Sequence, residues 1–145
     1  MKSPYDTHLD RNKANYQPLS PVNFLVRAAA VYPNKTAVIH GSKRYSYAEF
    51  YTRSRRLASS LSNRGVGQGD TVSIMAPNIP ALLEAHYGVP MIGAVLNALN
   101  IRLDAAAIAF MLDHGEAKVI LTDRMFSSVI EDALKIASNT PLVID

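Results

Sequence analysis

A chain of 145 residues with 48% hydrophobic and 19% charged residues has the composition of a folded globular protein and is long enough for one domain. It contains no cysteine, which excludes disulfides, a thiolate nucleophile and cysteine metal ligands. The start of the chain has no apolar signal region and no stretch approaches 18 apolar residues, so the sequence predicts a cytoplasmic protein without a membrane span.

The formal net charge of +3 is spread unevenly, because residues 1–70 carry eleven Lys and Arg against four acids, whereas residues 71–145 carry four against eight. A basic half raises the possibility of nucleic-acid binding. Its candidates are four arginines of one predicted helix: Arg53, Arg55, Arg56 and Arg64. No aromatic stacking residues are interleaved with them in a nucleic-acid pattern. A solvated helix face is the favoured interpretation, and no nucleic-acid partner is predicted.

The first part of the chain predicts an extended arm followed by a helix. Residues 1–19 show no hydrophobic periodicity. Ser20 followed by Pro21 is typical of a helix start, and the helix should run to about Tyr32, before Pro33. Its predicted inward stripe consists of Phe24, Leu25, Ala28 and Val31.

Two short strands and a long helix come next. The sequence predicts strands over residues 36–40 and 44–46 around a turn at residues 41–43. Ser46 and Glu49 form a capping box, which starts a helix that runs to about Arg64. The predicted buried stripe of this helix is Tyr47, Phe50, Ser54, Leu57, Ala58 and Leu61. Gly65 should occupy the position after its end.

From residue 71 onward, short apolar strands alternate with helices. Strands are predicted over residues 71–76, 94–98, 118–122 and 141–145. Three helices are predicted between them. The first is capped by Asn78 and has Pro80 in its first turn. The second is capped by Asp104 and runs through Asp113, with Gly115 as its stop, and the third covers residues 127–138. Pro90 should interrupt the first of these helices. The inward face of the last is predicted to hold Val129, Ile130, Ala133, Leu134 and Ala137. The alternation indicates an α/β fold of parallel βαβ units, with strands buried on both faces.

The glycines at positions 65, 67 and 69 invite comparison with a phosphate-binding loop. Such a loop leaves a strand and enters a helix, whose N-terminus then faces the anion. Here the glycines leave a helix and enter a strand. The pattern therefore favours a helix end and a turn.

The remaining candidates are histidines and the polar residues that follow strands. His8, His40, His86 and His114 have no metal-ligand spacing, so His114 is interpreted as a helix-end residue and His86 as a structural one. Ligands of open parallel sheets gather at the carboxyl ends of the strands. Those ends are predicted at His40, Pro77–Asn78, Asn97, Asn100, Asp123 and Asp145. Because Asn and Asp are also ordinary loop and cap residues, this pattern locates a cleft but predicts no catalytic, cofactor-binding or metal-binding residue.

Five segments in order carry a resemblance to a family. They are YPNKTAVIHG, RYSYAEF, GVGQGDTVSIMAPNIP, GAVLNALNIRL and HGEAKVILTD. From about Tyr16 to Asp145 the chain resembles the opening of AMP-forming acyl-CoA synthetases, and most of all the branch that acts on short- or medium-chain acyl groups. The resemblance implies that the parallel βαβ units form part of the large N-terminal domain of an adenylate-forming enzyme. Residues 20–145 would then be an incomplete AMP-binding domain, cut before the phosphate loop, with residues 1–19 as its arm.

The resemblance also implies a reaction. Such enzymes activate a carboxylate with ATP and Mg²⁺ to an acyl-adenylate and transfer the acyl group to coenzyme A. The family's phosphate loop ending in Pro-Lys-Gly, its aromatic-Gly-x-Thr-Glu motif, its ribose-binding Asp and its catalytic Lys have no matching positions here. The chain alone is therefore predicted to be inactive and to bind no cofactor, with the remainder of a synthetase as its partner and a small carboxylate as the substrate. The alternative hypothesis is a standalone small α/β protein that binds a partner or scaffolds an assembly.

Overall fold

The computed structural model describes Thr7, residues 10–14 and residues 16–145. The predicted arm of residues 1–19 thus lies partly outside the described residues, as does His8. Its described residues contain no helix or strand.

The first structural unit is a helix, a β-hairpin and a second helix. These are α1 (Pro21–Val31), β1 (Thr36–His40), β2 (Lys43–Ser46) and α2 (Tyr47–Ser62), with β1 and β2 antiparallel. As predicted, the Ser20 hydroxyl caps α1 by accepting the Val22 N–H at 3.3 Å. The unit packs around a small core of Leu25, Val38 and Phe50.

Half of the apolar stripe predicted for α1 is exposed. Leu25 is buried, but the side chains of Phe24 and Val31 are 58% and 53% exposed. The physical reason is that the hairpin and α2 cover α1 from one side only, so that a helix with apolar residues around much of its surface leaves several of them in water.

Helix α2 starts and ends as its sequence predicts. The Ser46 N–H donates to the Glu49 carboxylate at 2.7 Å, and the Glu49 N–H donates to the Ser46 hydroxyl at 3.2 Å. At the other end, Gly65 has φ +81°. Its N–H donates to the Ser62 carbonyl at 2.9 Å, and the N–H of Val66 donates to the Leu61 carbonyl at 3.1 Å. This pair of bonds is a Schellman motif, which needs the left-handed conformation that glycine adopts without strain.

The second structural unit is a parallel four-stranded sheet with helices between its strands. Its strands are β3 (Thr71–Met75), β4 (Val95–Ala98), β5 (Ala117–Thr122) and β6 (Leu142–Ile144), in the order β4-β3-β5-β6. The helices are α3 (Pro80–Gly88), α4 (Ala105–His114) and α5 (Ser127–Ile136), and short 3₁₀ turns cover Pro90–Ile92 and Arg124–Phe126. The α/β class and the parallel βαβ units are confirmed, and so is the interruption at Pro90.

Two hydrophobic clusters lie on opposite faces of this sheet. On one face, Val72 and Val119 pack with Leu61 of α2 and Ala85 of α3. On the other face, strand residues pack against α4 and α5. The buried members of this second cluster are Met75, Leu99, Ile108, Ala109, Leu112, Ala117, Ile120, Ile130 and Ala133. Alternate strand residues point to opposite faces, so an apolar run such as that of β5 fills both clusters at once.

The predicted cap at Asn78 is wrong. Helix α3 starts at Pro80 with Ile79 at the N-cap position, and no side chain caps it. Proline is preorganised for the first helical position and has no N–H to satisfy there, so Pro80 sets the start of the helix one residue later than an Asn78 cap would.

One further prediction, for strand β4, needed correction, whereas Gly115 ends α4 as predicted. Strand β4 was expected to be buried, yet it lies at the edge of the sheet and Val95 is 53% exposed. Gly115 does follow α4, but with φ −84°, and the left-handed residue is Glu116 at φ +48°. Gly115 is required by space instead, since a Cβ there would lie 2.9 Å from the Met111 carbonyl oxygen.

Candidate functional site

The order of the strands creates a switch point at the carboxyl edge of the sheet. The chain passes from β3 to β4 on one side, then crosses back so that β5 lies on the other side of β3. The loops after β3 and β5 therefore leave in opposite directions, and a crevice opens between them. Open α/β sheets bind their ligands in such crevices.

On the β5 side, a cavity of about 380 Å³ lies against the ends of β3, β5 and β6. Asp123 and Asp145 both line it, as predicted from their positions after strands. Asp123 extends the ladder by donating its N–H to the Met75 carbonyl at 3.0 Å, and its carboxylate accepts the Met125 N–H at 3.0 Å. The Asp123 carboxylate thus caps the turn that leads into α5.

On the β4 side, a second cavity of about 370 Å³ is lined by Asn78 and Asn100. The Asn100 side-chain oxygen accepts the Arg102 N–H at 2.9 Å, so this residue shapes its own turn. Asn97, predicted at the same edge, lies instead inside β4 opposite Ser73 and donates to its hydroxyl at 3.2 Å. The prediction for Asn97 was wrong because β4 continues one residue beyond it.

Two arginines at this edge were not singled out from the sequence. Arg102 lines the β4-side cavity and Arg124 the β5-side cavity. They are the only arginines of the acidic half, residues 71–145, and each follows a strand within a few residues. An arginine soon after a strand in an otherwise acidic half of the chain is the feature by which the sequence could have indicated these two residues. A single arginine beside each cavity attracts anions but does not form the N–H-lined cradle of a phosphate loop.

A half-buried ion pair involves Glu84, which lines the β5-side cavity. Arg53 of α2 donates to the Glu84 carboxylate of α3 at 2.5 Å, and its guanidinium lies 4.7 Å from the ring centroid of Tyr45. The Glu84 side chain is only 10% exposed. The hydrogen bond that Arg53 donates to the Glu84 carboxylate raises the pKa of the Arg53 guanidinium above its ordinary value. Arg53 therefore lies only partly on the solvated face predicted for it, whereas Arg55, Arg56 and Arg64 are exposed as expected.

The histidines are placed away from the crevice. His40 ends β1, which belongs to the separate hairpin, so its predicted position at the shared strand edge was wrong. It lines a cavity of about 570 Å³ together with His86. His114 stacks on Phe110 at the end of α4, with ring centroids 5.4 Å apart.

The part of the chain that the structure describes contains no cluster of metal ligands. There, no three residues of the types His, Cys, Asp and Glu form a group that could hold a metal ion. The Asp123 carboxylate accepts the Met125 N–H of its own turn, and the Glu84 carboxylate is paired with Arg53. The residues present therefore do not fit a Mg²⁺ site.

Comparison with known proteins identifies the family to which the chain belongs. The family model described as "AMP-binding enzyme" matches residues 25–145. The chain belongs to this family. The order of strands and helices described above is the scaffold that an AMP-binding enzyme builds in this part of its sequence.

The curated relatives are ligases that are several times longer. The acetate–CoA ligase CCL3 of Humulus lupulus is 52% identical over 128 residues, which cover 88% of this chain and 22% of that protein. The peroxisomal acetate/butyrate–CoA ligase AAE7 of Arabidopsis thaliana matches with the same identity and coverage. The chain thus spans about a fifth of the length of these relatives.

Solved structures agree with the assignment. The fatty acyl CoA synthetase of Mycobacterium tuberculosis superposes with a TM-score of 0.78 at 28% identity, over 86% of this chain and 26% of that one. The N-terminal domain of FACL13 from the same organism gives 0.78 at 27% identity, over 88% of this chain and 34% of that domain. The chain therefore corresponds to part of the N-terminal domain of an adenylate-forming enzyme, as its sequence predicted. Among the described residues, no helix has the length and apolarity needed to cross a membrane.

Proposed function

We propose that this chain is the opening part of an AMP-forming acid–CoA ligase. The whole enzyme activates a carboxylate with ATP and Mg²⁺ to an acyl-adenylate and then transfers the acyl group to coenzyme A. The observation that carries the proposal is the 52% identity to an acetate–CoA ligase over 88% of the chain. The names of the two relatives support a short-chain acid, acetate or butyrate, as the substrate.

Within this enzyme, the role of residues 20–145 is architectural. They supply four parallel strands, and the loops at the carboxyl edge form one wall of a crevice with Arg102 and Arg124 on it. Electrostatic stabilisation of a phosphoryl or adenylyl transfer needs several donors aimed at the phosphates. We therefore assign no catalytic, cofactor-binding or metal-binding residue to this chain.

A chimera tests the proposal. The segment of the Humulus acetate–CoA ligase that follows its match to this chain is fused after Asp145, and CoA-dependent AMP formation is measured with acetate and with butyrate. We expect the chimera to be active with one of these acids. The matched controls are this chain alone and the fused segment alone, and both should be inactive. A chimera that folds cooperatively yet forms no AMP with any short-chain acid would overturn the proposal.

The cytoplasmic location is part of the same proposal. It is supported by the absence of cysteine from the sequence, which fits a reducing compartment. The Arabidopsis relative is named as peroxisomal, which supports the competing location. Microscopy of the fluorescently tagged protein in its own cells, beside a peroxisomal marker, distinguishes the two.

A further inference from the structure

The largest of the cavities described above adjoins the β4-side cavity, with which it shares Asn78 and Leu82. Its volume of about 570 Å³ is within the range of small-molecule sites, roughly 300–1,000 Å³. It lies between the start of α1, strand β1 and the first turns of α3. Val38, Ile79 and Leu82 give it an apolar floor, whereas Ile39 and Leu83 at its rim are 66% and 40% exposed. A ligand with an apolar body would remove these rim side chains from water.

The polar side of this cavity is basic. His40, Asn78 and His86 line it, and none of its described lining residues is acidic. The His86 Nδ1 lies 2.8 Å from the Leu82 carbonyl oxygen, which can only accept, so Nδ1 carries a proton and Nε2 is left for another partner. Lys43 pairs with His40 across the hairpin, and opposite residues of an antiparallel pair project from the same face. Lys43 therefore projects from the same face of the hairpin as His40, which lines the cavity.

From this combination we propose that the cavity binds a small amphipathic anion. The apolar body lies against Val38, Ile79 and Leu83, and the charged head group lies at the edge formed by His40 and Lys43. The site does not depend on the ligase reaction proposed above, because the proposed contacts of the ligand need neither ATP nor Arg102 or Arg124, although Asn78 lines both this cavity and the β4-side cavity. Apolar walls with a few convergent polar groups are the usual composition of such sites.

The test uses the purified 145-residue chain and two probes of the same shape. The anion is 1-naphthalenesulfonate, and its uncharged counterpart is 1-naphthalenemethanol. A Kd of about 1 mM is expected for the anion from the affinity per atom of small ligands. The neutral probe should bind at least about fivefold more weakly, since it cannot use the charge of Lys43. Amide chemical shifts of the ¹⁵N-labelled chain should change around β1 and the start of α3.

Matched variants locate the site. Leu83→Ala and Lys43→Ala should each weaken binding of the anion about fivefold, by loss of apolar contact and of charge respectively. Leu142→Ala, at a leucine that is 47% exposed on β6, and Lys135→Ala, on α5, are the controls and should leave the Kd unchanged. Circular dichroism checks that each variant is folded.

Three results would overturn the proposal. The first is that binding of the anion does not saturate at about 10 mM, which is ten times the expected Kd. The second is that the chemical-shift changes are centred elsewhere in the chain. The third is that the cavity variants and the control variants change the Kd equally. If a variant fails to fold, the shift map and the comparison of the two probes on the unaltered chain still decide.

Discussion

Arg53 and Glu84 form the most deeply placed ion pair among the residues that the structure describes. The Glu84 side chain is 10% exposed and that of Arg53 41%, whereas both partners of the Lys135–Asp132 pair are more than half exposed. An exposed pair contributes little to stability. A carboxylate removed from water needs its partner, because the cost of its desolvation remains if the partner is lost.

The first prediction follows from this asymmetry. Arg53→Met should lower the free energy of unfolding by about 2 kcal/mol, less than for a fully buried pair because Arg53 keeps part of its hydration. Arg56→Met, at an exposed arginine of the same helix, is the control and should change stability by less than about 0.5 kcal/mol. Urea unfolding followed by circular dichroism measures both. Equal, small effects of the two substitutions would show that the pair adds nothing to stability.

A second residue gives a prediction about pH. The Asp113 carboxylate accepts the N–H groups of Ser138 at 3.0 Å and Asn139 at 2.7 Å, and these bonds lower its pKa below the ordinary value of 3.8. A carboxyl group whose pKa is lower in the folded state stabilises the fold above its unfolded-state pKa, and this contribution is lost as the pH falls through the folded-state pKa. The difference in Tm between the wild-type chain and Asp113→Asn should therefore be largest near neutral pH and shrink below pH 3.8.

The control for the pH prediction is Glu131→Gln, which removes an exposed carboxylate of α5. Its effect on Tm should be small at neutral pH. A difference between wild type and Asp113→Asn that stays constant from neutral to acidic pH would show that the two N–H bonds do not depend on the charge of Asp113.

At the scale of elements, Gly88 allows α2 and α3 to pack closely. A Cβ at Gly88 would lie 2.8 Å from the Ser54 carbonyl oxygen and 3.1 Å from a methyl carbon of Leu57. Gly88→Ala should therefore push α3 away from α2 and destabilise the chain by about 2 kcal/mol, since extra atoms in a packed interface are costly. Gly67→Ala is the control, because a Cβ there meets only the Asp70 carboxylate at 3.9 Å. Thermal unfolding of both variants tests the prediction, and equal Tm values would contradict it.

The same scale shows what local sequence determines. The capping box at Ser46, the end of α2 at Gly65 and the interruption at Pro90 were predicted correctly, because each depends on neighbours in sequence. The edge position of β4 and the exposure of Phe24 were not. Both depend on which elements cover them, and periodicity within one segment carries no information about that.

For the whole molecule, the carboxyl edge was predictable in part. Asn100 and Asp123 lie where the alternation of strands and helices placed them, since parallel strands end at one edge. The 570 Å³ cavity was not foreseen, because His40 and His86 are brought together by the packing of the hairpin on α3 and are far apart in sequence. The Arg53–Glu84 pair was missed for the same reason.

The last prediction concerns the open edge of the sheet at β6. Leu142 and Val143 of this strand are 47% and 41% exposed, and β6 pairs with β5 on one side only. An apolar edge strand with free N–H and carbonyl groups pairs readily with another chain. The 145-residue chain should therefore associate with itself as its concentration rises, and Val143→Lys should suppress this association. Val31→Lys, at a valine that is 53% exposed on α1, is the matched control. Sedimentation velocity over a concentration series measures both variants. If Val31→Lys suppresses association as strongly as Val143→Lys does, apolar exposure in general drives the contact, and strand pairing at β6 does not.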